Sequence, residues 1–375
     1  MRAAVVVPCN RAGSTLAPCL DALAAAEGGP YEIIVVDDAS PDGVAGVAQS
    51  RGARCLGLER SSGAAVARNA GAAATTADII IFVDADVRVG PEALARLVGR
   101  LGEEPSLGAC FGLYSETCGA PGLVSDFRNL LHRYTHLRQT GRDVSSFFTA
   151  IGATRRQAFL EVGGLPPLRM LEDVVFGERL VRAGYRLVLE PEAEGCHLKR
   201  YGLGSMLRSL LFDRALPWGR LAATAGPVRD EFATSRRDRW ASVLALAATL
   251  AGVGLLANLG WAAGLAGVAA LSGLVLIERD LYGYLAARRG RVYLGAALPL
   301  HLVYLVIGGI GFGLGYLLGL GRGRPTGGWN GGRVDWRERA NGSRSWPRHL
   351  CASASSVGER TYPPSTRVSV ARSSP

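Results

Sequence analysis

Residues 78–90, "DIIIFVDADVRVG", constrain the fold more than any other stretch of the chain. The run 79–83 holds four branched aliphatic residues and a phenylalanine, which is typical of a strand buried on both faces of a helix-covered parallel sheet. Asp84 and Asp86 follow where this strand ends. Two neighbouring carboxylates at a buried strand end cost desolvation and mutual repulsion, so a fold retains them only with a positive charge between them.

The first hundred residues alternate strand and helix patterns. "AAVVVP" and "YEIIVVDDAS" have strand character, whereas "STLAPCLDALAAA" and "AAVARNAGAAA" have helical spacing. This βαβαβ order predicts a mainly parallel, Rossmann-like sheet whose ligand lies at the carboxyl ends of the strands. Asp37 and Asp38 end the second strand, so two acidic pairs are expected at the same edge.

A third acidic pair, Glu172 and Asp173, begins a later helix in "RMLEDVVFGERL". One acid would be enough to stabilise the dipole of that helix, so the second indicates catalysis. Helix and strand patterns continue to about His197, which predicts an α/β domain over residues 1–200.

Three acidic pairs at one sheet edge predict a hard divalent cation. Mg²⁺ and Mn²⁺ prefer oxygen ligands and are commonly shared between one or two carboxylates and a diphosphate. A Mg²⁺ or Mn²⁺ ion is therefore the positive charge that we expect at Asp84 and Asp86.

The formal net charge of +10 does not indicate a nucleic-acid partner. The predicted domain has more acidic than basic residues, and the arginine excess lies after residue 198. The seven cysteines are scattered without a C-x-x-C pair, which argues against a zinc site or a disulfide framework. Because "AAVVVP" already forms the first strand, we expect no signal peptide and a cytoplasmic domain.

The chain changes character after residue 200. Residues 201–239 form a basic amphipathic segment, in which "LGSMLRSLLFDRALPW" predicts a helix in a membrane interface. A helix that packs on the domain itself is the alternative. Trp218 and Trp240 would mark the interface.

Residues 240–320 form the predicted transmembrane region. The uncharged run 241–277 exceeds one crossing of about 20 residues, and "NLGW" supplies a turn within it. We therefore expect crossings at about 241–257, 261–277 and 292–320, joined by the basic cytoplasmic loop "ERDLYGYLAARRG". Four crossings are the alternative. The Arg-, Ser- and Gly-rich tail, residues 321–375, is predicted to be disordered.

Four motifs carry a resemblance to a known family. "VVVPCNRAGSTLAPCLDAL", "VVDDASPDG", "SSGAAVARNAGAAATTADIIIFVDADV" and "GGLPPLRMLEDVVFGERLVRAGY" resemble, in order and spacing, the family 2 glycosyltransferases of the GT-A fold. The stretch "HLKRYGLGSMLRSLLFDRALPW" is similar to the membrane-anchoring part of bacterial members. Two departures are Cys9-Asn10, where Thr-Tyr-Asn is usual, and Asp38-Ala39-Ser40, where Asp-Gly-Ser is usual.

The resemblance implies roles for residues of each motif. Those implied to hold the donor nucleotide sugar are Pro8, Asn10, Asp37, Asp38, Arg68 and Asp84. Asp84 and Asp86 would present the metal to the diphosphate, and Asp173, beside Glu172, would be the general base.

His197 has two interpretations. It could complete the metal site or contact the diphosphate, with Lys199 and Arg200 pairing with phosphates. Alternatively, all three residues belong to a basic edge that faces the membrane.

These features predict an inverting glycosyltransferase at the cytoplasmic face of the inner (plasma) membrane. It would move a sugar from a nucleotide-diphosphate sugar to a hydroxyl of a lipid or lipid-linked glycan of the cell envelope. A polyprenyl-phosphate acceptor is the main alternative, and a non-catalytic nucleotide-sugar-binding membrane protein is a weaker one. A processive polysaccharide synthase ranks lower because the chain has no Gln-x-x-Arg-Trp motif. A nucleotidyltransferase or a dehydrogenase would need a Gly-rich first turn, which "PCNRAGSTLAP" does not provide.

Overall fold

A computed structural model describes residues 1–117, 119–225, 231–232, 235–258 and 260–320. The tail 321–375, which was predicted to be disordered, lies outside the described residues.

The described chain forms one eight-stranded mixed sheet. Its strands are β1 (Ala3–Cys9), β2 (Glu32–Asp37), β3 (Arg54–Gly57), β4 (Ile79–Val83), β5 (Val87–Val89), β6 (Leu107–Tyr114), β7 (Ile151–Arg155) and β8 (Arg186–His197). They are ordered β3-β2-β1-β4-β7-β6-β8-β5. The first four of these are mutually parallel, and β7 and β5 run antiparallel to their neighbours. The predicted α/β fold with a mainly parallel sheet is confirmed.

Eleven helices and one π-helical segment accompany the sheet in the described part of the chain. They are α1 (Leu16–Ala24), α2 (Val44–Gln49), α3 (Ala64–Ala73), α4 (Ala93–Glu103), α5 (Leu123–Leu137), α6 (Arg156–Glu161), α7 (Glu172–Arg182), α8 (Leu203–Ser209), the π-helical segment (Leu210–Ala215), α9 (Leu216–Ala225), α10 (Arg236–Leu256) and α11 (Trp261–Leu320). The sequence patterns did not predict α2, α4 or α5, nor β3, β5, β6 or β7.

Strand β4 is buried on both faces, as its sequence predicts. Alternate residues of β4 face opposite cores because side-chain direction alternates along a strand. Ile79, Ile81 and Val83 join one hydrophobic cluster, and Ile80 and Phe82 join the other. The strand is thereby fixed in the middle of the sheet, and the residues that follow it emerge at the sheet edge.

Helix α3 lies unusually close to β1. A Cβ atom built on Gly71 would lie 2.3 Å from Cγ1 of Val6, so only glycine allows this approach. The close packing holds the preceding turn of α3, which carries Arg68, against the carboxyl ends of the strands.

Helix α11 contains a break at Gly290, whose φ of 87° and ψ of 169° are not helical. The arms 261–289 and 291–320 fold back on each other, since Tyr282 Oη lies 3.1 Å from Nδ1 of His301.

The expectation that residues 278–291 form a loop is wrong, because the first arm continues to residue 289. Leu281 and Leu285 pack with Phe127 of α5, and Arg289 pairs with Asp126 at 3.0 Å. These contacts with the domain stabilise helix through a stretch whose composition suggests a loop.

The helix predicted to lie in a membrane interface is divided among α8, the π-helical segment and the start of α9. Met206 packs into a cluster with Phe127, while Leu203 and Phe212 are exposed. One face of this region therefore packs on the protein, and another face is exposed.

Candidate active site

A cavity of about 620 Å³ lies where β4 ends. Among the residues that line it are six of the predicted site residues: Arg68, Asp84, Asp86, Glu172, Asp173 and His197. They come from α3, the turn after β4, α7 and the end of β8. The structure thus joins the pair Asp84 and Asp86 with the pair Glu172 and Asp173 in one site.

Arg68 is the positive charge that the structure places between these pairs. Its Nη2 donates to Oδ1 of Asp84 at 2.6 Å, and its Nη1 donates to Oε1 of Glu172 at 2.8 Å. The side chain is only 5% exposed. Burial alone would lower the pKa of Arg68, but Asp84 and Glu172 outweigh it and raise the pKa above its usual value. Arg68 therefore stays charged and fixes the two carboxylates relative to each other.

Asp86 has a different partner. Its Oδ2 lies 3.4 Å from Nε2 of His197, and His197 stacks on Tyr114 with ring centroids 4.4 Å apart. Burial raises the pKa of Asp86, but the hydrogen bond and charge of His197 and the charge of Lys199 outweigh burial, so the pKa is lowered. Asp86 is therefore a carboxylate at neutral pH.

The donor set of the acidic pair suits a cation that is shared with a substrate. Among the described residues, no group of three or more His, Cys, Asp or Glu side chains is arranged to hold a metal ion. Mg²⁺-like ions are commonly bound by one or two carboxylates together with substrate phosphates and water. Asp84 and Asp86 match the two carboxylates of that pattern.

Asp173 lies in the first turn of α7 and accepts a hydrogen bond from the Val174 N–H at 2.9 Å. Burial and the neighbouring Glu172 raise the pKa of Asp173 to about 7, against the opposing charge of Arg68. A carboxyl group with a pKa near neutrality is suited to general-base catalysis. The preceding Leu171 has a left-handed φ of 66°, a strain often found at functional sites.

The other predicted donor residues lie at the ends of β1 and β2 and do not line this cavity. Asp38 is buried, and its carboxylate accepts hydrogen bonds from Ser61 Oγ and from the N–H groups of Ser62 and Gly63. It thereby anchors the turn before α3. Asn10 donates to the Asp38 carbonyl at 2.7 Å.

Two further predicted residues belong to the same strand ends. The Asp37 carboxylate accepts a hydrogen bond from the Ser40 N–H, and Pro8 lies beside Val36 in the sheet register. Ala39, which stands where the family usually has glycine, has a φ of 52°, in the left-handed region that favours glycine.

A second wall of the cavity was not predicted from the sequence. The residues that form it include Arg128, Asn129, His132 and His136 of α5, together with Arg214 and Trp218. The polar residues of α5 recur at helical spacing in "RNLLHRYTH", a signal that could have revealed this face.

Comparison with known proteins agrees with this fold. The glycosyl transferase family 2 model matches residues 4–163. The succinoglycan biosynthesis protein ExoO of Rhizobium meliloti (strain 1021) is 34% identical over 99 residues, which are 25% of this chain and 28% of that protein. An uncharacterized protein of Mycobacterium tuberculosis (strain CDC 1551 / Oshkosh) is 36% identical over 110 residues, 28% of this chain and 34% of that protein. The chain thus spans about a third or less of the length of these curated relatives.

Among solved structures, the mannosyltransferase PcManGT from Pyrobaculum calidifontis, in complex with GDP-Man and Mn²⁺, has a TM-score of 0.56. It is 20% identical, and the superposition covers 80% of this chain and 87% of that one. The likeness is one of fold. Residues 4–163 are thus similar to glycosyl transferase family 2, and the chain shares the GT-A fold.

Proposed function

We propose that the protein is an inverting glycosyltransferase that uses a nucleotide-diphosphate sugar, a divalent cation and a hydroxyl acceptor. The observation that carries the proposal is one cavity in which Asp173, with a pKa of about 7, faces the same space as Asp84 and Asp86. The base and the acidic pair come from different elements, as an attack from the side opposite the leaving group requires.

The chemistry follows from these positions. Asp173 accepts the proton of the acceptor hydroxyl while the hydroxyl oxygen forms a bond to the anomeric carbon. The bond from that carbon to the diphosphate oxygen breaks on the opposite side, so the configuration inverts. When bound at Asp84 and Asp86, Mg²⁺ or Mn²⁺ would neutralise charge on the departing diphosphate, a contribution of several kcal/mol. Arg68 keeps Glu172 and Asp84 in fixed positions throughout.

A membrane location is supported by the C-terminal helices. Two helices of the described chain, α10 and α11, are long and apolar enough to cross a membrane. Many of their large apolar side chains point away from the protein; Leu256 is 85% exposed and Trp261 is 77% exposed. A contiguous exposed apolar surface of this kind is typical of a membrane or protein contact, and lipid acyl chains would bury it. We therefore propose a site at the cytoplasmic face of the plasma (inner) membrane, with several crossings and an envelope lipid or glycan as acceptor.

A polyprenyl-phosphate acceptor is the second candidate. A phosphate monoester has its second pKa near 6 and is largely ionised at neutral pH, so it needs little help from a base. The elevated pKa of Asp173 favours a hydroxyl nucleophile instead.

The experiment is an assay of the full-length protein in detergent against a panel of nucleotide sugars. We expect release of the nucleoside diphosphate from one donor class, dependent on Mg²⁺ or Mn²⁺ and increased by an acceptor. Full activity in EDTA would disprove the metal role. Metal-dependent nucleotide binding without any turnover would indicate the non-catalytic alternative.

A further inference from the structure

Two arginines, one buried and one half-buried, line the cavity without an acidic partner among the described residues. Arg128 of α5 is 7% exposed, and its guanidinium carbon lies 5.8 Å from the ring centroid of Tyr304. Arg214 lies in the π-helical segment. Within the described part of the chain, neither arginine forms an ion pair, whereas Arg68 in the same cavity forms two. Asp213 also lines the cavity, but it is not paired with either arginine.

The groups that act most strongly on Arg214 include Arg128 and three tyrosines but no carboxylate. Burial lowers the pKa of Arg214, and the nearby charge of Arg128 lowers it further. Burial, with the charges of Arg214 and Arg128, keeps the pKa of His136 at about 4 even though a backbone hydrogen bond opposes it. Burial also places the pKa of His132 well below its usual value, so both histidines are neutral at pH 7. Two neighbouring cations that are partly withdrawn from water are costly unless an anion joins them.

Two unsatisfied polar atoms belong to residues that line the same cavity as the arginines. Oδ1 of Asn129 and Nδ1 of His132 are buried without a hydrogen-bond partner, although both residues line the cavity. Asn129 is 3% exposed and His132 is 6% exposed. A buried polar atom without a partner costs free energy. Nδ1 of His132 can donate to a ligand oxygen when it carries the ring proton, whereas Oδ1 of Asn129 only accepts and requires a donor such as a ligand hydroxyl.

The local backbone is also unusual. The segment that carries Asp213 and Arg214 is π-helical, a conformation that is rare and often occurs at functional sites. It lies directly before α9, whose Trp218 lines the same cavity. Both elements pack against the second arm of α11, where Gly311 approaches Leu211 and Gly315 approaches Leu216.

We propose that Arg128 and Arg214 form a subsite for a phosphate group carried by the acceptor. This inference rests on the proposed function, in which the acceptor also presents a hydroxyl to Asp173. The counter-charge of the donor diphosphate would be the cation held by Asp84 and Asp86, whereas the arginine pair adjoins Tyr304 of α11 and needs an anion of its own. A phosphate bound there would form charge-assisted hydrogen bonds with both guanidinium groups. A lipid headgroup and a soluble phosphate ester share this chemistry.

The test is calorimetric binding of hexyl phosphate to the full-length protein in dodecyl maltoside, with EDTA present so that no metal–diphosphate site forms. Inorganic phosphate and hexanol are titrated in parallel. We expect saturable binding of hexyl phosphate that weakens about 10-fold to 100-fold in Arg128→Gln and in Arg214→Gln. Arg214→Lys should retain part of the affinity because its charge remains.

Arg208→Gln is the matched control, since Arg208 is an exposed arginine of α8 that does not line the cavity. The affinity of Arg208→Gln for hexyl phosphate should equal that of the wild type. Binding of hexyl phosphate that exceeds that of inorganic phosphate would support a lipid headgroup, and equal binding would support a soluble phosphate ester. Unchanged affinity in both cavity variants, with wild-type thermal unfolding, would overturn the subsite. So would an equal loss in Arg208→Gln.

A separate measurement distinguishes failure of the proposed function from failure of the phosphate subsite. Binding of UDP and GDP to the wild type with Mn²⁺ reports the donor site alone, and it does not depend on the outcome with hexyl phosphate.

Discussion

Among single residues, Asp173 links the electrostatics of the site most directly to the proposed reaction. Burial and Glu172 raise its pKa to about 7, with Arg68 opposing them, and Arg169 lines the same cavity. Only the deprotonated form can accept a proton, so the rate should rise with pH through about 7 and level off above it. The measurement is kcat for release of nucleoside diphosphate between pH 5 and 9. A flat profile would contradict the base role.

Replacement of Asp173, the proposed base, gives the matching prediction. Asp173→Asn preserves size but cannot accept the proton, so turnover should fall by a factor of about 10² or more, with little change in donor affinity. Glu178→Gln, which alters a surface acid of the same helix, is the control and should leave turnover within about twofold. Near-normal turnover in Asp173→Asn would favour a phosphate nucleophile instead.

Asp86 is expected to hold the cation. Asp86→Ala should abolish transfer together with metal-dependent nucleotide binding, and the fold should persist because removal of one acid also relieves repulsion from Asp84. Nucleotide binding with and without Mn²⁺ checks this, and thermal unfolding verifies the fold. Glu92→Ala, an exposed acid of the neighbouring turn, is the control. Retention of Mn²⁺-dependent binding in Asp86→Ala would place the cation elsewhere.

Ala39 provides a prediction about stability. Its left-handed φ of 52° costs a residue with a Cβ atom about 1 kcal/mol, a cost that glycine avoids. Ala39→Gly should therefore raise the free energy of unfolding by up to about 1 kcal/mol, less the entropy that glycine gains in the unfolded chain. Urea unfolding measures the change, and a decrease would show that this conformation is not strained.

At the scale of elements, the close packing of α3 on β1 determines where Arg68 lies. Gly71→Ala would force a Cβ atom against Val6, so we expect a loss of about 1–3 kcal/mol in stability and a lower turnover as Arg68 shifts. Gly46→Ala in α2 is the matched control, because nothing lies within 4 Å of its added Cβ atom. That change should be neutral or stabilising by up to about 1 kcal/mol. Equal effects at the two glycines would contradict tight packing at Gly71.

At the scale of the whole molecule, the break at Gly290 gives a prediction about topology. Arg288 pairs with Glu116 at 2.7 Å and Arg289 with Asp126 at 3.0 Å, which supports a turn on the same side as the catalytic domain. Topology reporters fused after residues 200, 285 and 325 should read inside, inside and outside. An inside signal at residue 325 would show that the second arm of α11 does not complete a crossing.

Local pattern was sufficient for much of this molecule. The alternation of strand and helix, the burial of β4 and the acids at strand ends all follow from residues within one or two turns of each other. Each of these three features depends on residue periodicity or on adjacent residues, so the sequence alone can specify it. The same reasoning did not predict α5, and it predicted a loop where the first arm of α11 is helical. Contacts with residues distant in the sequence stabilise both helices, and local patterns do not show such contacts.

The charge pairs of the site were decided only by tertiary structure. Arg68 meets Asp84 across 16 positions and Glu172 across 104, and His197 reaches Asp86 from β8, the last strand along the chain. The sequence indicated that the acids needed a positive neighbour and suggested a metal, but packing of α3 on β1 supplied a guanidinium. Such pairings depend on which elements lie side by side, and no local periodicity records that.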